Sequence, residues 1–109
     1  MENKLATLLG FASKSGNMVS GDSTVLNEIR KGNVYLVIIA GDASENTKKK
    51  FTDKSSSYGI ESVIFSNSQE LSRAIGKQNR TVIAIREVDF AKKIKELLGG
   101  VPFVEDESI

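Results

Sequence analysis

Residues 33–40, NVYLVIIA, leave this chain little freedom in how it folds. The run is almost continuously β-branched or apolar, without the alternation of a strand that has one wet face. Such a strand is buried on both sides, so its sheet must be covered by helices on both faces. Two further strands are expected at residues 61–65, ESVIF, and 81–85, TVIAI, and Met18-Val19 is short enough to be an edge strand. Around them the apolar residues recur at three- and four-residue spacing, the period of a helix packed along one side. In residues 2–14 these are Leu5, Leu8, Leu9 and Ala12, and in residues 88–98 they are Phe90, Ala91, Ile94, Leu97 and Leu98.

Three further helices fit between the strands. Residues 21–32 open with Gly21-Asp22-Ser23-Thr24, a helix N-terminus by composition, carry Val25, Leu26 and Ile29 on one side, and close with Arg30, Lys31 and Gly32. Residues 44–57 carry a thin apolar stripe of Thr47 and Phe51 continuing to Tyr58, with two competing caps, Asp42 paired with Glu45 and Ser44 paired with Thr47. Residues 69–75 bury Leu71, Ala74 and Ile75, with Ser66 and Gln69 at capping-box spacing. Helices alternating with strands predict a three-layer α/β/α sandwich around a small, mixed central sheet. Residues 1–100 read as a single domain without internal repeats, and residues 101–109 as an acidic tail containing Glu105, Asp106, Glu107 and the single proline, Pro102.

Several chemistries are disfavoured. The chain has no Cys and no His, which removes thiolate metal sites, disulfides and the commonest general base. Residues 10–16, GFASKSG, lack the spacing of a phosphate-binding P-loop, and no GxGxxG occurs. Asp42 follows a strand as a phosphoacceptor would, but no carboxylate pair follows the first strand to hold a metal, so a cap is the better reading. The expectation is a non-enzymatic protein without catalytic residues, metal or cofactor. No apolar run approaches the length of a membrane helix, and the N-terminus lacks the pattern of a signal peptide, which points to the cytoplasm. Net charge is only +1, yet the acid-rich tail leaves the body basic, with clusters at Lys48-Lys49-Lys50, at Arg73, Lys77 and Arg80, and at Lys92-Lys93-Lys95. Each cluster alone reads as an ordinary solvated helix face.

The helix at residues 21–32 followed at once by NVYLVIIAGDAS, then VIFSNSQELSRAIG and TVIAI, in that order and spacing, resembles the L-seven-Ae ribosomal-protein family, most of all its small bacterial branch, the YlxQ type. The likeness covers residues 2–98. It implies an α/β/α sandwich that binds kink-turn RNA, the N-terminus of the helix after the first Gly entering a widened major groove at tandem sheared G·A pairs. The family signature there is Gly, one residue, Asn-Glu, two residues, Lys. This chain keeps Gly21 but has Ser23, Thr24 and Asn27 at the other places, side chains that still hydrogen-bond base edges. The family's second contact, a strand-to-helix loop against an extruded nucleotide, falls on residues 65–68, before Leu71, with Phe65, Ser66 and Asn67 as the candidates; Phe65 is either that platform or the last core residue of its strand, and core is the better reading. The family's Leu-Gly appears as Leu71-Ser72, and its Ala-x-Gly as Ala74-Ile75-Gly76.

The candidate RNA-binding residues are therefore Gly21, Asp22, Ser23, Thr24, Asn27, Arg30, Lys31, Lys48, Phe65, Ser66 and Asn67. The expected partner is structured RNA, ribosomal in the first instance, with the ribosome or other proteins as further partners and a monomer favoured. A second reading is a protein-interaction module of the same fold that has lost specific RNA binding, which the altered signature and near-neutral charge would suit. A third is the stand-alone recognition domain of an RNA-modifying enzyme, which would need a catalytic partner chain.

Overall fold

A computed structural model describes residues 1–99; the acidic tail and Pro102 lie outside the described residues. The elements in chain order are α1 (Asn3–Lys14), β1 (Met18–Ser20), α2 (Asp22–Lys31), β2 (Leu36–Ile39), α3 (Glu45–Ser57), β3 (Glu61–Ile64), α4 (Ser68–Ala74), β4 (Val82–Ile85) and α5 (Val88–Leu97). The four strands form one mixed sheet in the order β1-β4-β2-β3. β4 runs antiparallel to both neighbours, with Val37 opposite Ala84 and Val19 opposite the same Ala84 from the other side. β2 and β3 are parallel, Leu36 facing Glu61, and α3 makes the crossover between them.

Side-chain alternation divides the core in two. Leu36, Ile38, Val63, Ile83 and Ile85 face α1, α4 and α5 and pack on Leu5, Leu9, Leu71, Ala91 and Ile94. Val37, Ile39, Val82 and Ala84 face α2 and α3 and pack on Val25, Ile29 and Phe51. Every residue of β2 and of β4 is buried, as a sheet with helices on both faces requires. The molecule is the expected α/β/α sandwich with a mixed sheet, three helices on one face and two on the other.

Several local expectations are corrected. The strand within residues 33–40 is only four residues long; Asn33 and Tyr35 are exposed, and Val34 is buried ahead of the strand. Ser44, not Asp42, caps α3, its hydroxyl accepting from Thr47 N at 3.1 Å. The α3 stripe continues from Phe51 to Ser55, both buried, and not to Tyr58, which ends the helix exposed. The cap of α4 is Asn67, whose side-chain oxygen accepts from Glu70 N at 2.9 Å, so the expected Ser66–Gln69 box does not form. Ser66 has a φ of 59°, outside the extended conformation of an N-cap.

Candidate functional site

The topology gathers one set of loops at one end of the sheet. β1, β2 and β3 all finish there, β4 starts there, and α2, α3 and α4 each begin in the loop that follows a strand. This is the end of an open α/β sheet at which loops are free to carry a ligand. Of the three helices, two are closed by side chains, Ser44 on α3 and Asn67 on α4. α2 follows Gly21, and no side chain among the described residues caps it. The first-turn N–H groups of a helix have no intrahelical acceptor, so α2 presents an open N-terminus beside exposed Asp22, Ser23 and Thr24.

Gly21 holds that start in place. Its N–H donates to the Val82 carbonyl at 3.1 Å, tying the turn to the central strand β4, and its own carbonyl accepts the first helical bond from Val25 N. Its φ of 95° and ψ of 148° lie in a region that side chains with a Cβ avoid. Nothing lies within 4 Å of where its Cβ would be. What demands glycine here, within the protein, is the backbone conformation and not crowding.

The neighbouring loops are knitted together. Gly41 N donates to Ser66 O at 2.9 Å, and a Cβ on Gly41 would sit 2.8 Å from that same carbonyl oxygen, so the ends of β2 and β3 approach as closely as glycine allows. Asp42 reaches across to α4: the backbone N–H and the hydroxyl of Ser68 both donate to its carboxylate, at 2.8 and 2.9 Å. Those bonds, the backbone one foremost, hold Asp42 below its ordinary value of 3.8. The Ser66 hydroxyl donates to Glu70 at 2.5 Å, and the Met1 ammonium lies 3.2 Å from the same carboxylate. Glu70 is accordingly held below its usual 4.5, by Ser66 first and the N-terminal ammonium second.

The structure brings Gly21, Asp22, Ser23, Thr24, Lys48, Phe65, Ser66 and Asn67 to this end. Asn27 lies exposed one turn farther along α2. Lys48 is in the first turn of α3, 3.3 Å from Glu45. Phe65 is half-buried and packs against the α1, α4 and α5 side of the core. Arg30 and Lys31 are at the opposite end. They close α2, which runs back toward the start of β2 and spans about 15 Å, so they form no common surface with Gly21.

Two cations missed by the sequence reading do belong here. The loop between α4 and β4 folds back beside β1, where Lys77 and Arg80 join Ser20 and Thr24 around an open concavity of about 250 Å³. Arg80 Nε donates to Ser20 Oγ at 3.0 Å. Its backbone is gripped by buried Ser72, whose hydroxyl accepts from Arg80 N at 2.8 Å and donates to Arg80 O at 3.3 Å. Arg80 appeared in a basic cluster, but no periodicity announces that its loop returns to β1. The end is thus of mixed charge: Lys48, Lys77 and Arg80 stand among Asp22, Asp42 and Glu70. Among the described residues no group of carboxylates is arranged to hold a metal ion, and no helix is long and apolar enough to cross a membrane.

Comparison with known proteins gives this geometry a context. The chain is 40% identical over 97 residues to "RNA-binding protein YlxQ" of Enterococcus faecium, covering 89% of this chain and 93% of that one. It is 41% identical over 91 residues to the protein of the same name from Bacillus subtilis (strain 168), covering 84% and 91%. Its fold matches a Bacillus halodurans protein of unknown function with a TM-score of 0.86 at 39% identity, over 90% of this chain and 99% of that one. It also matches the Giardia lamblia 15.5kD RNA binding protein with a TM-score of 0.73 at 20% identity, over 93% and 90%, a likeness of fold alone. Residues 3–96 match the profile of the ribosomal protein L7Ae/L30e/S12e/Gadd45 family, and with the sandwich and its strand-end loops in hand, the chain belongs to that family.

Proposed function

We propose that this protein binds RNA, without catalysing a reaction, and that it recognises a kink-turn or internal loop, in ribosomal RNA in the first instance, within the cytoplasm. The observation that carries this reading is the uncapped N-terminus of α2, the one helix start left open among three that share an end of the sheet. Its N–H groups and the Ser23 and Thr24 hydroxyls suit phosphate and base-edge oxygens. Lys77 and Arg80 stand beside it with Thr24, and Lys48 and the Phe65–Asn67 loop lie at the same end of the sheet. Family membership, and two relatives at about 40% identity named as RNA-binding proteins, support RNA as the ligand.

The test is a titration against a kink-turn RNA with tandem G·A pairs, beside a plain duplex, at two salt concentrations. Tight binding to the kinked RNA alone is expected, weakening with salt by about 0.7–0.9 in log K per log salt for each phosphate contacted. Ser23→Glu should leave the melting temperature unchanged, since an acid suits the first turn of a helix, while weakening binding at least tenfold. Restoring the family signature with Ser23→Asn, Thr24→Glu and Asn27→Lys should tighten it. If neither variant alters binding, the α2 end is not the interface. The rival reading, a protein-interaction module, draws on the carboxylates Asp22, Asp42 and Glu70 at this end; it predicts no preference for the kinked RNA.

A further inference from the structure

The end of the sandwich opposite Gly21 carries a concentration of groups that the α2 interface does not use. The chain has two tyrosines and no tryptophan. Both tyrosines lie at this end: Tyr35 immediately precedes β2, and Tyr58 closes α3 just ahead of β3, whose first residue pairs with the first residue of β2. Each residue is 48% exposed. The last-turn cations of α2 and α3 lie at the same end, Arg30 and Lys31 on α2 and Lys54 on α3, with Arg86 at the exit of β4.

Helix C-termini attract cations in any protein, so the lysines and Arg30 alone would mean little. Arg86 is different, because it is positioned. The Glu28 side chain, only 12% exposed, lies 3.6 Å from Arg86 Nη1 and 3.6 Å from Lys31 Nζ, and accepts from Asn33 Nδ2 at 3.5 Å. That arrangement sets the guanidinium beside Tyr35 in an open concavity of about 420 Å³ lined by Glu28, Asn33, Tyr35 and Arg86. Glu28 is one carboxylate shared between two cations, Arg86 and Lys31, while Glu61 is paired with Lys95 and Glu87 accepts from the first N–H groups of α5. Arg86 and Lys31 are therefore not neutralised one for one.

Exposed aromatic faces interleaved with fixed cations are how proteins hold unpaired nucleotides: bases stack on the rings and phosphates meet the cations, with little sequence preference. From this we infer that the Tyr35–Tyr58 end is a second RNA contact, for single-stranded nucleotides, separate from the α2 interface. The molecule measures 30 × 28 × 25 Å, so a folded RNA held at one end would deliver a flanking single strand to the other.

The protein supplies its own reporter. With no tryptophan, its intrinsic tyrosine fluorescence arises from this end alone. The experiment is a fluorescence titration of the full chain with an oligoadenylate of about eight nucleotides at low salt, corrected for absorbance. Saturable quenching is expected. Tyr35→Leu and Tyr58→Leu should each remove part of the amplitude and weaken binding about fivefold or more. Arg86→Gln should weaken it while both rings remain, and Ser23→Glu should leave it unchanged. Absence of quenching at low salt overturns the inference. So does quenching that Ser23→Glu abolishes, or that Arg86→Gln leaves intact. Because Ser23→Glu acts only at the α2 end, failure of the kink-turn reading and failure of this one are seen separately.

Discussion

Gly41→Ala puts a methyl group where the ends of β2 and β3 come closest. The added Cβ would stand 2.8 Å from the Ser66 carbonyl oxygen, inside ordinary van der Waals contact by roughly half an ångström. Both atoms belong to backbone, so no side chain can swing aside. Relief means parting the two loops, which also stretches the 2.9 Å bond from Gly41 N to that same oxygen. Overpacking of this kind costs about 1–3 kcal/mol, and weakening one backbone hydrogen bond about 1 kcal/mol more at most. Against this, alanine restricts the unfolded chain and returns about 0.4–1 kcal/mol. Mid-range values of these leave a net loss of about 2 kcal/mol, a fall in melting temperature of roughly 8–16 °C for a domain this size. Thermal and urea unfolding by circular dichroism would read it. A variant melting at or above the parent temperature would refute the reasoning, since the entropic gain would then be the whole effect.

Two further changes test other parts of the fold. The Ser55 hydroxyl is fully buried on α3 with no hydrogen-bond partner among the described residues, so Ser55→Ala should stabilise the protein by about 0.5–1.5 kcal/mol; a loss on urea unfolding would mean that the hydroxyl is satisfied after all. Asp42, held low by the Ser68 bonds, contributes stability above its unfolded value near 3.8 and loses it as pH falls through its folded value. The melting-temperature gap between parent and Asp42→Asn should therefore narrow as pH is lowered from 7 to about 3, and a gap independent of pH would contradict the assigned bonds.

Residues that speak through local pattern were legible in the sequence. Leu36–Ile39 and Val82–Ile85 announced doubly covered strands because nothing polar interrupts them, and α1 and α5 announced themselves by a repeated apolar side. What stayed hidden were choices made between distant segments. Asp42 and Ser44 both fit the start of α3. Ser44 takes it because Asp42 is drawn to Ser68, a partner that no spacing rule connects to it. Tyr58 sits at the right interval to continue the α3 stripe, but the helix ends there and the ring turns outward, leaving Ser55 in the core. At the candidate interface, Gly21 through Thr24 could be placed from composition and family likeness. Arg30 and Lys31 were grouped with them by proximity in sequence, which a helix converts into distance. Arg80 was separated from them by sequence, and the Ser72 hydroxyl and the return of its loop bring it back.

The place of β4 in the sheet bears on how the chain assembles. The last of the described strands to be synthesised lies in the interior, between β1 and β2. A growing chain that has not reached residue 85 has β2 and β3 to pair with each other, but β1 has no neighbour. The Gly21 turn likewise lacks the Val82 carbonyl on which it hangs. Contacts of such long sequence separation form late, after the loop between them has closed. The N-terminal four-fifths of the protein is thus not a smaller version of it. The α2 end takes shape only when the sheet closes around β4, and a chain truncated or stalled before β4 presents no preformed surface there for a ligand to recognise.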